Sequence, residues 1–95
     1  MEITEGSIIC RKINLVFNKL DDEVVMLSME NNEYYGLNII GSRIWELIEK
    51  PILFTSLIDQ LISEFDVEQI VCEKDTREFL NKLDANGLIE ITTKN

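Results

Sequence analysis

At Asn38 the spacing of apolar residues changes. From Leu15 to Leu37 they come in short β-branched and aromatic runs, broken by Asp21-Asp22 and Asn31-Asn32. Beyond Asn38 they recur at helical spacing: Ile40, Ile44, Trp45, Leu47 and Ile48 before Pro51, then Leu57, Ile58, Leu61, Ile62 and Phe65. A period of two followed by a period of 3.6 puts a sheet first and helices after it. Within 95 residues there is room for one domain with one core. A segregated α+β domain is therefore the expected class.

The first half resolves into three strands. Leu15-Val16-Phe17-Asn18-Lys19-Leu20 reads as a short strand and Asp21-Asp22 as a turn. Val24 to Met29 is a second strand, rich in β-formers. Asn31-Asn32 suits a tight hairpin, because Asn tolerates positive φ. Tyr34-Tyr35-Gly36-Leu37 is the third, completing an antiparallel meander. Residues 1–13 have weak patterning and read as a loose arm.

Asn38 is a good N-cap, since its side chain can accept from the orphan amides of a first turn. Pro51 stops the first helix. Thr55 or Ser56 is expected to cap the second. A third helix is expected from about Cys72 to Asn86, with Thr76, Phe79, Leu80 and Leu83 on one face, and Gly87 fits the left-handed position after it. Leu88-Ile89-Glu90-Ile91 closes the chain as a short extended piece. The expected fold is winged helix-turn-helix-like: a three-stranded antiparallel meander followed by three helices.

Composition narrows the function. Eighteen acidic residues face nine basic ones, for a net charge of −9 with no histidine. Phosphate-backbone binding depends on Lys and Arg, so this chain repels nucleic acid and suits a neutral or basic peptide. The expected third helix sets Lys74, Arg77 and Lys82 against Glu73, Asp75, Glu78 and Asp84, and the hairpin Glu30-Asn31-Asn32-Glu33 is acidic too. A winged-helix order therefore does not bring DNA binding with it. The commonest general base is missing, and Gly6, Gly36, Gly41 and Gly87 are too scattered for a phosphate loop. Carboxylates such as Asp21, Asp22 and Glu23 read as solvated turn residues. Cys10 and Cys72 have no metal-ligand spacing and read as reduced thiols. No enzyme, metal or cofactor is expected. No apolar run approaches the ~20 residues of a membrane span, and Met1 to Gly6 do not open a signal peptide, so the expected location is the cytoplasm.

A short meander leaves its third strand at an edge, a template for another strand. Natural edges are blunted with charge or Pro, and Tyr34-Tyr35-Gly36 carries neither. Gly36 also permits close backbone approach. Such an edge suits β-augmentation by an extended peptide. The alternative is that Tyr35 and Leu37, which share one strand face, are core, and that Thr76, Phe79 and Leu83 are core as well. Pattern alone favours the core reading.

The order Glu23-Val24-Val25-Met26-Leu27, Tyr34-Tyr35-Gly36-Leu37-Asn38, Gly41, Ile44-Trp45-Glu46-Leu47, then Asp75-Thr76-Arg77-Glu78-Phe79-Leu80 with Leu83 and Gly87-Leu88-Ile89, resembles the PqqD-like family. The resemblance spans about residues 15–91, with residues 1–14 as an N-terminal arm and 92–95 as a tail. It implies a recognition element that binds the leader of a ribosomally made precursor peptide and presents it to a processing enzyme. That enzyme would be a leader peptidase in lasso-peptide systems, to whose members the strand end looks most similar, or a radical-SAM protein as in quinone-cofactor biosynthesis. Because the chain stops soon after the domain, a stand-alone element with its enzyme in trans is expected. By the same resemblance the leader adds to the third strand at Glu33, Tyr34, Tyr35, Gly36 and Leu37. Cys72, Asp75, Thr76, Phe79, Lys82 and Leu83 form the helical wall, with apolar leader side chains between Tyr35 and the Phe79/Leu83 face and a leader Lys or Arg near Asp75. Trp45 and Leu47 are structural.

Overall fold

The computed structural model describes residues 3–12, 16–20, 23–28 and 33–93; for 16–20, 23, 26–28 and 33–35 the description is of the backbone. The elements are β1 (Ser7–Arg11), β2 (Val16–Leu20), β3 (Glu23–Ser28), β4 (Glu33–Gly36), α1 (Ile39–Leu47), β5 (Ile52–Leu53), α2 (Phe54–Glu64), α3 (Gln69–Ala85) and β6 (Ile89–Thr93). The domain is α+β, with the expected three-stranded antiparallel sheet β2-β3-β4 and three helices. Its register sets Phe17 opposite Met26 and Val25 opposite Gly36. The expected turns at Asp21-Asp22 and Asn31-Asn32 lie outside the described residues, as does Leu15.

A second three-stranded sheet, β5-β1-β6, corrects the reading of the N-terminus as a loose arm. Ile8 and Ile9 pair with Leu53 and Ile52, and Ser7 to Arg11 pair with Thr93 to Ile89, all antiparallel. Ser7 and Ile9, two residues apart, point into the core, where Ile9 is fully buried. The Arg11 amide donates to Ile48 O at 2.8 Å and the Lys12 amide to Leu88 O at 3.0 Å. The final extended piece is the partner strand β6, so it reaches Thr93 and not merely Ile91.

The helices follow their apolar faces. Asn38 caps α1 as expected, its Oδ1 accepting from the Gly41 amide at 2.8 Å. Trp45 and Ile48 are fully buried, and the Arg11 guanidinium lies 5.2 Å from the Trp45 ring centroid. The second helix starts at Phe54, ahead of the expected caps Thr55 and Ser56, and Leu53 makes no side-chain cap bond. Here β5 holds Ile52 and Leu53 against β1, and the backbone turns directly from that pairing into the helix. Leu57, Ile58 and Leu61 bury against α3, which contributes Cys72, Thr76, Leu80 and Leu83. Burying a side chain such as Leu or Ile in full contributes about 1.5–3 kcal/mol. The third helix begins at Gln69, a turn earlier than expected. It ends on Gly87 at φ 72°, with Gly87 N bonded to Asp84 O at 3.0 Å and Leu88 N to Leu83 O at 2.9 Å. That crossed pair of bonds is a Schellman motif.

Candidate functional site

Among the described residues β4 pairs only with β3, and the N-terminal strand lies in the other sheet. Leu37 donates its amide to Val24 O at 2.8 Å, so the two residues form a hydrogen-bonding pair across β3 and β4. Antiparallel strands alternate inward and outward backbone groups. Tyr35 and Glu33 therefore turn theirs toward β3. Tyr34 and Gly36 turn their N–H and C=O toward the open side. Gly36 is exposed, and a Cβ built on it meets nothing within 4 Å.

Two residues beyond the end of β4, at Asn38, starts the lining of an open, apolar cavity of about 190 Å³. Its walls come from three helices. Asn38, Ile40, Gly41 and Ile44 stand on and just before α1; Leu61, Phe65 and Val67 on α2 and the connection after it; and Val71, Cys72, Asp75, Thr76 and Phe79 on α3. Ile40 and Val71, also in the lining, are 38% and 49% exposed, an apolar rim open to solvent. A Cβ on Gly41 would stand 3.3 Å from Phe79 Cζ, so a glycine here lets the Phe79 ring lie against the start of α1. Arg43 and Glu64 brace α1 to α2, with Nε–Oε1 at 2.8 Å and Nη2–Oε2 at 2.9 Å. The Arg43 hydrogen bond holds the Glu64 carboxyl below the usual range, helped by Gln60.

The structure sorts the expected site residues. Cys72, Asp75, Thr76 and Phe79 meet on the cavity wall. Leu83 is 4% exposed and belongs to the core, and Lys82 is exposed on α3 away from the cavity. They stand one turn, about 5.4 Å, farther along α3 than Phe79, and neither lines the cavity. Leu37 is buried, and its amide and carbonyl both point inward, to Val24 and to Ser42. Glu33, Tyr34 and Tyr35 lie on β4 opposite Ser28, Leu27 and Met26. The sequence reading missed the walls from α1 and α2. Ile40, Ile44 and Phe65 belong to helical faces, and only the junction of three helices turns them toward one space.

The titratable side chains lining the cavity are Cys72 and Asp75. Burial pushes the Cys72 thiol above its ordinary pKa, Thr76 offsets this through a 3.9 Å contact, and Asp75 and Glu73 add to the rise. A raised pKa keeps the thiol protonated at neutral pH and poorly nucleophilic. The one carboxylate of the lining, Asp75, is exposed. No described helix is long and apolar enough to cross a membrane.

A family model described as coenzyme PQQ synthesis protein D (PqqD) matches residues 23–89. The chain belongs to the PqqD family. It is similar to the structure of TbiB1 in complex with the TbiA(beta) leader peptide, at 33% identity and a TM-score of 0.72, with 95% of each chain covered. It shares its fold with a lasso peptide synthetase B1 complexed with its leader peptide, at 22% identity and a TM-score of 0.74, covering 86% of this chain and 96% of that one. No curated protein matches.

Proposed function

We propose that this chain is a non-catalytic adaptor that binds the leader segment of a ribosomally synthesised precursor peptide and presents it to a processing enzyme, a leader peptidase in lasso-peptide biosynthesis. The leader adds as a strand to the open side of β4 and drops an apolar side chain into the cavity between α1, α2 and α3. The observation that carries this reading is a β4 edge that, among the described residues, pairs only with β3, followed two residues on by the apolar cavity whose lining starts at Asn38. The similarity to TbiB1, a protein solved with a leader peptide, supports it.

Each part of the site then has a task. Outward backbone groups of Tyr34 and Gly36 hold the leader main chain with little sequence preference. The cavity supplies selection. A dry apolar cavity of about 150 Å³ takes a benzene molecule, so the one here, about 190 Å³, has room for a bulky aliphatic or aromatic side chain. Asp75 meets a leader Lys or Arg and orients it, since exposed pairs contribute only about 0–1 kcal/mol. A winged helix-turn-helix is the finer reading of this α+β fold, and the net charge of −9 argues against its use on DNA.

The test is a titration of fluorescent leader. The TbiA(beta) leader is the reference probe, beside a leader synthesised from a short precursor gene next to this chain's own. Saturable binding in the low-micromolar range or tighter is expected for at least the cognate leader, and none for scrambled versions. A neighbouring protease and cyclase would assign the lasso pathway; a neighbouring radical-SAM gene would move the adaptor to that chemistry.

A further inference from the structure

Ser42 sits where three elements meet. It is 1% exposed, near the start of α1. Its hydroxyl accepts from the Val24 amide at 2.7 Å and donates to the Leu37 carbonyl at 3.1 Å. Val24 and Leu37 are the hydrogen-bonding pair at the end of β3 and β4, and such a pair ordinarily exchanges both of its bonds directly. Here only one is direct, Leu37 N to Val24 O at 2.8 Å. The other is relayed through the serine hydroxyl. One oxygen thus holds the two strands apart at this end and ties both to α1.

The cavity begins at the same place. Asn38, next to Leu37, caps α1 through the Gly41 amide, and Asn38, Ile40 and Gly41 line the cavity. The Ser42 amide donates back to Asn38 O at 2.8 Å. The end of β4, the cap of α1 and the cavity lining are therefore joined through one residue.

We propose that Ser42 is a positioning residue for leader capture, its relayed bond setting the offset between the β4 edge and the cavity so that one extended segment reaches both. The proposal rests on the leader-binding reading. Removing the hydroxyl leaves two courses. Either the Val24 amide and Leu37 carbonyl stay unpaired, or the strands close up and pair directly, drawing β4 away from its offset. In the second course much of the stability is recovered and the geometry is not, so affinity falls further than stability.

The experiment compares the parent chain with Ser42→Ala, Ser42→Thr and Ile62→Ala, the last a stability control on α2, packed against the core and outside the cavity lining. Leader affinity is read with the TbiA(beta) leader and the cognate leader, and stability by thermal unfolding. Ser42→Ala is expected to lose about tenfold in affinity, Ser42→Thr to bind near the parent, and Ile62→Ala to bind near the parent despite an equal or larger fall in Tm. A measurement on the parent alone guards against a variant that fails to fold. Leader addition is expected to slow amide exchange at Val24, behind β4, as well as at Gly36. Equal affinity in Ser42→Ala and parent overturns the positioning role. So does an equal loss in Ile62→Ala, or an exchange response at Gly36 without one at Val24. A parent chain that binds neither leader removes the leader-binding reading itself, and the Ser42 role with it.

Discussion

The Leu37 amide reaches the Val24 carbonyl at 2.8 Å, and this bond sets the parity of the whole β4 edge. It turns Leu37 inward, hence Tyr35 and Glu33 inward, and leaves the backbone of Gly36 and Tyr34 facing outward. Gly36→Pro removes one outward amide without touching the inward ladder, and edge strands tolerate proline. The expected result is a loss of leader affinity of about tenfold or more. Circular dichroism and Tm should stay close to the parent.

Phe79 and Trp45 separate the site from the core. Trp45 is fully buried, so Trp45→Ala is expected to cost about 3–5 kcal/mol and to unfold much of the domain. Phe79 is half-buried on the cavity wall. Phe79→Ala should keep a cooperative unfolding transition and lose leader binding. Urea unfolding alongside the titration checks both, and a Phe79→Ala chain that unfolds as Trp45→Ala does would place Phe79 in the core.

Cys72 reports on the cavity through its thiol. Its pKa is raised, chiefly by burial, so alkylation by iodoacetamide at pH 7 should be slow and accelerate only above the usual thiol range near ~8.5. Bound leader should slow it further, while Cys10, on β1, labels at an unchanged rate. The raised folded pKa also means that the stability from the neutral thiol is complete below the unfolded value and is lost as pH rises through the folded one. Mass spectrometry of the labelled peptides reads the rates.

The Arg43–Glu64 brace gives an acid-side signature. Its hydrogen bond lowers the Glu64 pKa, so the stabilisation is present above the unfolded value near ~4.3 and is lost as pH falls through the lower folded value. Glu64→Gln should flatten the fall of Tm in that window and leave Tm at neutral pH little changed, because the pair is partly exposed. A parent and a Glu64→Gln chain with the same acid limb would contradict the brace.

Where the local signal was strong, the sequence already contained the fold. Asn38 as cap, Gly87 as left-handed terminus and the apolar faces of all three helices each depend on neighbours within a few residues. The second sheet was not legible. Ser7–Arg11 is a short strand whose partners, Ile52-Leu53 and Ile89–Thr93, lie far along the chain, and its alternation gains meaning only once they are in place. The start of α2 was misread for a related reason: β5 holds Leu53 by pairing, so the helix needs no side-chain cap at Thr55 or Ser56. At the site, helical spacing put Cys72, Thr76, Phe79 and Leu83 on one face, but the cavity occupies only the part of it that α1 and the end of α2 also reach. Lys82 and Leu83 fall beyond that reach. Ser42 carried no signal at all, because a buried serine differs from an exposed one only in what surrounds it.

Amide exchange on the isotopically labelled chain, with and without leader, tests strand addition most directly. The account predicts that leader slows exchange at Gly36 and Tyr34, the outward positions of β4, and leaves the Thr92 and Thr93 amides at the end of β6 unchanged. Slowing on β6 with none at Gly36 and Tyr34 would contradict it.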